Sequence, residues 1–147
     1  MRGKMTMEGK SLAQLAAVAI GIAYAGGGVI GFAVTGFGGF VSSGSERHLL
    51  FLTLNPFQDL FHLLTGLFVL WAATRDTAVT EGILFGVGSI YVVATTAGFI
   101  GAHIPVITIT TAGNPDNYLH LITGLTALFA ALVSSSATAR KRRTAAF

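Results

Sequence analysis

The chain has 147 residues, of which 52% are hydrophobic and only 10% charged, with a mean hydropathy of +0.72. A soluble domain carries about a quarter charged residues, so this composition excludes that class. The net charge of +3 comes from basic residues at the edges of apolar runs, not interleaved with aromatic and polar ones, which argues against a nucleic-acid partner.

Arg2, Lys4 and Lys10 precede the first apolar run. A basic start, an apolar stretch from Leu12 and the triplet Ala23-Tyr24-Ala25 have the outline of a cleaved signal peptide. The run continues through Val34, however, and predicts an uncleaved helix over residues 11–34, ended by Gly36-Phe37-Gly38-Gly39. Residues 36–45, rich in Gly and Ser, then form a loop. Leu49-Leu50-Phe51-Leu52 is too short to span; it either dips into the membrane interface or continues into the second helix. That helix opens at Asn55-Pro56 and runs to about Ala73. Asn accepts a backbone hydrogen bond as N-cap, and Pro in the first turn sacrifices no needed donor. A polar turn at Arg75-Asp76-Thr77 leads to a third helix over residues 82–102, stopped before Pro105. Residues 108–113 form the second long loop, and Asn114-Pro115 opens a fourth helix reaching about Ser134. Asp59 and Asp116 sit in first turns, where the helix dipole favours negative charge.

The expected fold is an all-α membrane protein of four transmembrane helices. Its divisions are a tail 1–10, a helical hairpin 11–74, a turn 75–81, a second hairpin 82–136 and a basic tail 137–147. Four spans place both termini on one side. The tails hold seven Lys/Arg and the turn adds Arg75, against Arg47 alone in the two longer loops. This bias predicts cytoplasmic termini in a bacterial plasma membrane, with both longer loops outside.

The two hairpins are alike. Asp59, His62, Leu63, Thr65, Gly66 and Leu67 have the spacing of Asn117, His120, Leu121, Thr123, Gly124 and Leu125. Gly21, Tyr24, Gly31 and Phe32 match Gly88, Tyr91, Gly98 and Phe99 at a different offset, the longer first loop absorbing the change. Spaced His, Tyr and Gly are hard to match by chance, so the pattern reads as a duplicated hairpin. Copies of two spans enter the bilayer in one direction, which predicts a pseudo-twofold along the membrane normal and a four-helix bundle. At about 100° per residue, Asp59, His62, Thr65, Gly66, Val69 and Ala73 share one face, as do Asn117, His120, Thr123, Gly124, Ala127 and Ala131. Gly21, Tyr24, Gly28, Gly31 and Phe32 share a face of the first helix. These are the expected inward faces, because helices in lipid associate through small and polar residues; Trp71 and most Leu, Ile and Phe then face lipid. Gly27-x-x-x-Gly31 and Ala17-x-x-x-Gly21 are the expected close-packing ladders, within the bundle or between protomers.

Asn55-Pro56, His62-Leu63-Leu64 with Gly66, and Asp116-Asn117 followed by His120-Leu121 and Gly124 resemble a family of uncharacterised bacterial integral membrane proteins, largely actinobacterial and cyanobacterial. The family is known only as a domain of unknown function. The resemblance covers about residues 12–133 and implies four spans without an assigned activity. The family often carries Asn where this chain has Asp59.

His62 and His120 are the sharpest feature, since an ionisable residue inside a span is a functional candidate by default. In one reading each imidazole bonds to Asp59 or Asn117, or to a neighbouring helix, and locks the bundle. In a second, the pair supplies both axial ligands of a haem or half of a metal site, with Gly66 and Gly124 leaving room beside them. In a third, His, Asp59 and Tyr form a proton or small-solute path, which in so small a chain requires an oligomer. Tyr24 and Tyr91 lie near mid-bilayer, where each phenol needs a partner such as a backbone carbonyl, Thr95, Thr96 or Thr126. His48, beside Glu46 and Arg47, reads as solvated, and His103 as interfacial. The basic tail holds topology, with anionic lipid as a secondary partner. Lacking Cys, a phosphate loop, a nucleophile elbow and a zinc helix, the chain is not expected to be an enzyme or to carry a cofactor. The leading expectation is a structural or accessory membrane protein, associating with lipid and with itself or a larger assembly.

Overall fold

The computed structural model describes residues 9–40, 47–102 and 112–144. The expectations for Arg2, Lys4, Glu46, His103, Pro105 and the loops at 41–45 and 108–111 lie outside the described residues, as do the side chains of Arg140, Lys141, Arg142 and Arg143.

Helix α1 spans Leu12–Thr35. Ser11 caps it by accepting from the backbone N–H of Gln14, whose side chain reciprocates on the Ser11 N–H in a capping box. Gly36, with φ of 70°, ends the helix in a conformation only Gly adopts cheaply. The segment left open between interface and helix is neither. Strands β1 (Arg47–Leu49) and β2 (Leu52–Leu54) pair antiparallel in a small hairpin, Arg47 opposite Leu54, so the described fold is not wholly helical. Its two-residue turn, Leu50-Phe51, puts Leu50 at φ 57° and leaves both side chains exposed.

Helix α2 (Pro56–Ala72) starts where Asn55 Oδ1 accepts from Gln58 N at 2.8 Å. Helix α3 (Thr77–Phe99) begins five residues before the expected start. The polar sequence there reads as a turn, but Asp76 is an N-cap, its Oδ1 accepting from Val79 N at 3.0 Å. The turn 75–81 therefore contracts to the residues between Ala72 and Thr77. Helix α4 (Pro115–Thr144) continues ten residues beyond Ser134, through a tail rich in Ala, Lys and Arg, which are strong helix formers.

Three helical segments are long and apolar enough to cross a membrane: Leu12–Thr35, Thr77–Phe99 and Pro115–Ala137. The chain is thus a membrane protein. Helix α2 is shorter, 17 residues or roughly 26 Å at ~1.5 Å per residue. Helices α1 and α2 run antiparallel, tied at one end by Gln14 Nε2 donating to Arg75 O at 2.7 Å and at the other by Thr35 Oγ1 donating to Asp59 at 2.6 Å. Helices α3 and α4 pack together as closely, and α1 also touches both. Ala, Gly and the two tyrosines dominate the centre, with Ile20, Val69, Leu84 and buried polar side chains such as Thr80, Thr95 and Asn117, whereas Ile22, Val93, Ile122 and Phe129 are exposed by 60% or more. A water-soluble core would reverse that pattern; a lipid-facing surface requires it. Trp71 faces outward, 4.4 Å beneath the Arg75 guanidinium, an arrangement suited to a membrane–water interface.

Candidate functional site

Each helix contributes one ring to a buried cluster: Tyr24 from α1, His62 from α2, Tyr91 from α3 and His120 from α4. Their small neighbours allow it, because Gly and Ala let the backbones approach until four rings meet. Tyr24 meets His62 edge-on with centroids 4.9 Å apart, and Tyr91 at 5.2 Å. Tyr91 lies 5.1 Å from His120, and the two imidazoles are 5.7 Å apart. The expected twin histidines therefore do come together. Their partners are not Asp59 and Asn117 but each other, Nε2 to Nε2 at 3.5 Å.

The Tyr24 hydroxyl donates to Thr123 Oγ1 at 3.0 Å, bridging α1 to α4. Thr123 thus takes the role expected of Thr95, Thr96 or Thr126. Thr95 instead donates to Asn117 O, and Thr96 to Val92 O. The Tyr91 hydroxyl lies close to Thr65 and Tyr24 but reaches hydrogen-bond geometry with neither among the described residues. One Nε2 donates and the other accepts, and the direction sets which ring keeps its second proton on Nδ1. His120 Nδ1 is buried without a partner among the described residues, so donation from His120 to His62 leaves a lone pair there and moves the remaining N–H to His62 Nδ1. At 3.5 Å the bond is long and weak.

Asp59 and Asn117 lie one turn away and serve the helix pairs separately. The Asp59 carboxylate abuts Gly31, where any Cβ would overlap it, and one oxygen accepts from Thr35. The Asn117 carboxamide abuts Gly98 in the same manner and donates to Ala112 O at 3.3 Å. Gly66 and Gly124 leave no spare room. A Cβ on Gly66 would strike the backbone of Ala25 and Gly21, and one on Gly124 would meet Val92 and Gly88 O. In the α1 ladders Ala17, Gly21 and Gly31 are buried as expected, and Gly27 alone is out of place. Gly28 meets the Asp59 carbonyl and Leu63, whereas Gly27 faces outward with nothing within 4 Å. A GxxxG spacing does not distinguish two adjacent glycines; the face containing Tyr24 does. Thr35 was not foreseen, although it lies four residues after Gly31 on the same face.

A cavity of about 170 Å³ opens beside the cluster, between α1, α4 and the β-hairpin. Tyr24, His62, Gln58 and Asp116 are among the residues that line it. His48, on β1, is exposed and takes no part.

The model of one protein family, described as a domain of unknown function (DUF4383), matches residues 14–133. No curated protein and no solved structure matches the chain.

Proposed function

The chain belongs to the DUF4383 family, and from that premise we propose a structural or accessory role in a bacterial plasma membrane. In this reading the chain is a four-span bundle, not an enzyme, that associates with itself or a larger membrane assembly. The carrying observation is the four-ring cluster. One ring from each helix, interlocked edge to face, fastens two hairpins that lipid alone would not hold together. The repeated contacts support a duplicated hairpin: Gly31 on Asp59 and Gly98 on Asn117, Gly21 on Leu70 and Gly88 on Leu128. The same cluster speaks against haem, because a porphyrin between the imidazoles would have to displace Tyr24 and Tyr91. With the glycines filled by neighbouring backbone, the room left near the rings is the cavity of about 170 Å³, too small for a porphyrin.

A double-mutant cycle tests the fastening role. His62→Ala and His120→Ala should each destabilise the detergent-solubilised protein by about 2 kcal/mol, and the double variant by less than their sum, because the residues share one contact set. Wild type and variants should all be colourless. A Soret band in the wild type, lost in either variant, would replace this reading with a haem-binding one.

Crossing by α2 carries the topology, with both termini cytoplasmic and the β-hairpin outside. Its 17 residues fall slightly short of a ~30 Å hydrocarbon layer, a mismatch that local thinning accommodates at modest cost. The native chain has no Cys, so single introduced thiols report cleanly. A membrane-impermeant maleimide should label His48→Cys, exposed on β1, on intact cells, and Arg75→Cys only after permeabilisation. Labelling of both on intact cells would show that α2 does not cross.

A further inference from the structure

The cavity beneath the β-hairpin is not explained by fastening. Its apolar walls belong to α1 (Ala23, Gly27), α4 (Leu119) and β2 (Leu52, Leu54), and Gln58, His62 and Asp116 supply polar groups to the lining. Ala23, Gly27 and Leu119 are exposed on the outer surface of membrane-crossing helices, so the cavity opens sideways toward lipid. The hairpin covers it on the side away from the α1 N-terminus. Gly27 carries no side chain to obstruct the mouth, which explains why a glycine outside the packing ladder has a place there.

The inner end is chemically specific. His62 Nε2 is taken by His120, and His62 makes no other hydrogen bond among the described residues. When His120 is the donor of that contact, the His62 Nδ1–H has no acceptor among the described residues, a state that is costly to maintain. An oxygen brought in from outside would relieve it. The volume, about 170 Å³, is comparable to the ~150 Å³ engineered cavity that accommodates benzene.

We propose that this cavity binds a single-ring amphiphile bearing a hydrogen-bond acceptor oxygen, taken up laterally from the outer leaflet, with the oxygen on the Nδ1–H of His62. The ring lies between the Leu side chains of β2 and the bare backbone at Gly27, and Tyr24 closes the inner end beside the imidazole. The leaflet assignment rests on the topology proposed above; the cavity and its donor do not.

The test uses the full chain in lipid nanodiscs and two fluorinated probes of nearly equal size. Para-fluoroacetophenone carries a carbonyl, and para-fluoroethylbenzene does not. Fluorine NMR titration should show one saturable site per chain, with the ketone bound at least tenfold more tightly. His62→Phe should erase that difference and leave the hydrocarbon unaffected. Gly27→Leu, whose Cβ meets no atom within 4 Å, should block both probes without lowering the unfolding temperature. That variant keeps the test decisive even if His62→Phe misfolds. Saturation by neither probe would overturn the proposal outright. Equal affinity for the two probes, equal weakening of both in a His62→Phe variant that keeps its thermal unfolding transition, or unchanged binding in Gly27→Leu would each overturn the proposal. None of these results bears on the thiol-labelling pattern or the histidine cycle, so failure here is distinguishable from failure of the proposed role.

Discussion

Gly66→Ala should lower the stability of the solubilised protein by about 3 kcal/mol, at the upper end of what one added methyl costs in a closed core. The added carbon would lie against the Ala25 backbone nitrogen, 2.7 Å from Ala25 Cα and 2.8 Å from Gly21 O. All three belong to the main chain of α1, which cannot step aside as a side chain can. Relief requires α1 and α2 to separate, and separation moves Tyr24 away from His62. Gly124→Ala should cost less, about 2 kcal/mol, because its nearest neighbour is the side-chain carbon Val92 Cγ2 at 2.9 Å, with Gly88 O at 3.0 Å. Gly27→Ala should be neutral or stabilising by up to about 1 kcal/mol, since it removes an exposed glycine from a helix interior at no steric cost. Thermal unfolding in one detergent orders the three. Equal losses at Gly27 and Gly66 would mean that α1 presents a different face to α2.

That order was only partly legible in the sequence. The 3.6-residue period carrying Tyr24, Gly28 and Gly31 on one face identifies the inner side of α1, because in lipid small and polar residues mark a contact. The GxxxG spacing pointed instead to Gly27, since a spacing rule has no means of weighing adjacent glycines against the rest of the face. The meeting of His62 with His120 followed from their equal places in two alike helices. Their partners did not follow. A carboxylate or carboxamide three residues earlier lies on the same face, but in α2 it is held by Thr35 at the end of α1, a contact between segments 24 residues apart. The β-hairpin was hidden for a different reason. Its turn, Leu50-Phe51, carries none of the Asn or Gly that tight hairpin turns favour, and an apolar tip is tolerable only where the surroundings are not water. Composition found the membrane; long-range pairing decided the details.

Asn117→Asp should destabilise the protein by about 3 kcal/mol, whereas Asp59→Asn should leave it unchanged or stabilise it by about 1 kcal/mol. The two residues occupy corresponding places, each pressed against a glycine of the preceding long helix, so size and shape are held constant and only the hydrogen-bond chemistry differs. Asn117 donates from Nδ2 to Ala112 O at 3.3 Å. A carboxylate there has no N–H and would set two oxygens facing, in a fully buried position. Asp59 is equally buried, and its Oδ1 has no partner among the described residues. An amide can donate from Nδ2 to Thr35 Oγ1 while the Thr35 hydroxyl turns its own proton to Gly31 O, 3.0 Å away. The orphan is then a neutral carbonyl oxygen, cheaper to bury than a carboxylate oxygen. Thermal unfolding of both variants checks the sign at each position. A loss in Asp59→Asn as large as in Asn117→Asp would show that the carboxylate is held by a cation outside the described residues. If Asp59→Asn is as stable as expected, it also becomes the right variant for a flux assay in liposomes. A proton or solute path through Asp59 would then lose transport in a chain that is still folded, whereas a structural bundle would show no flux in either form.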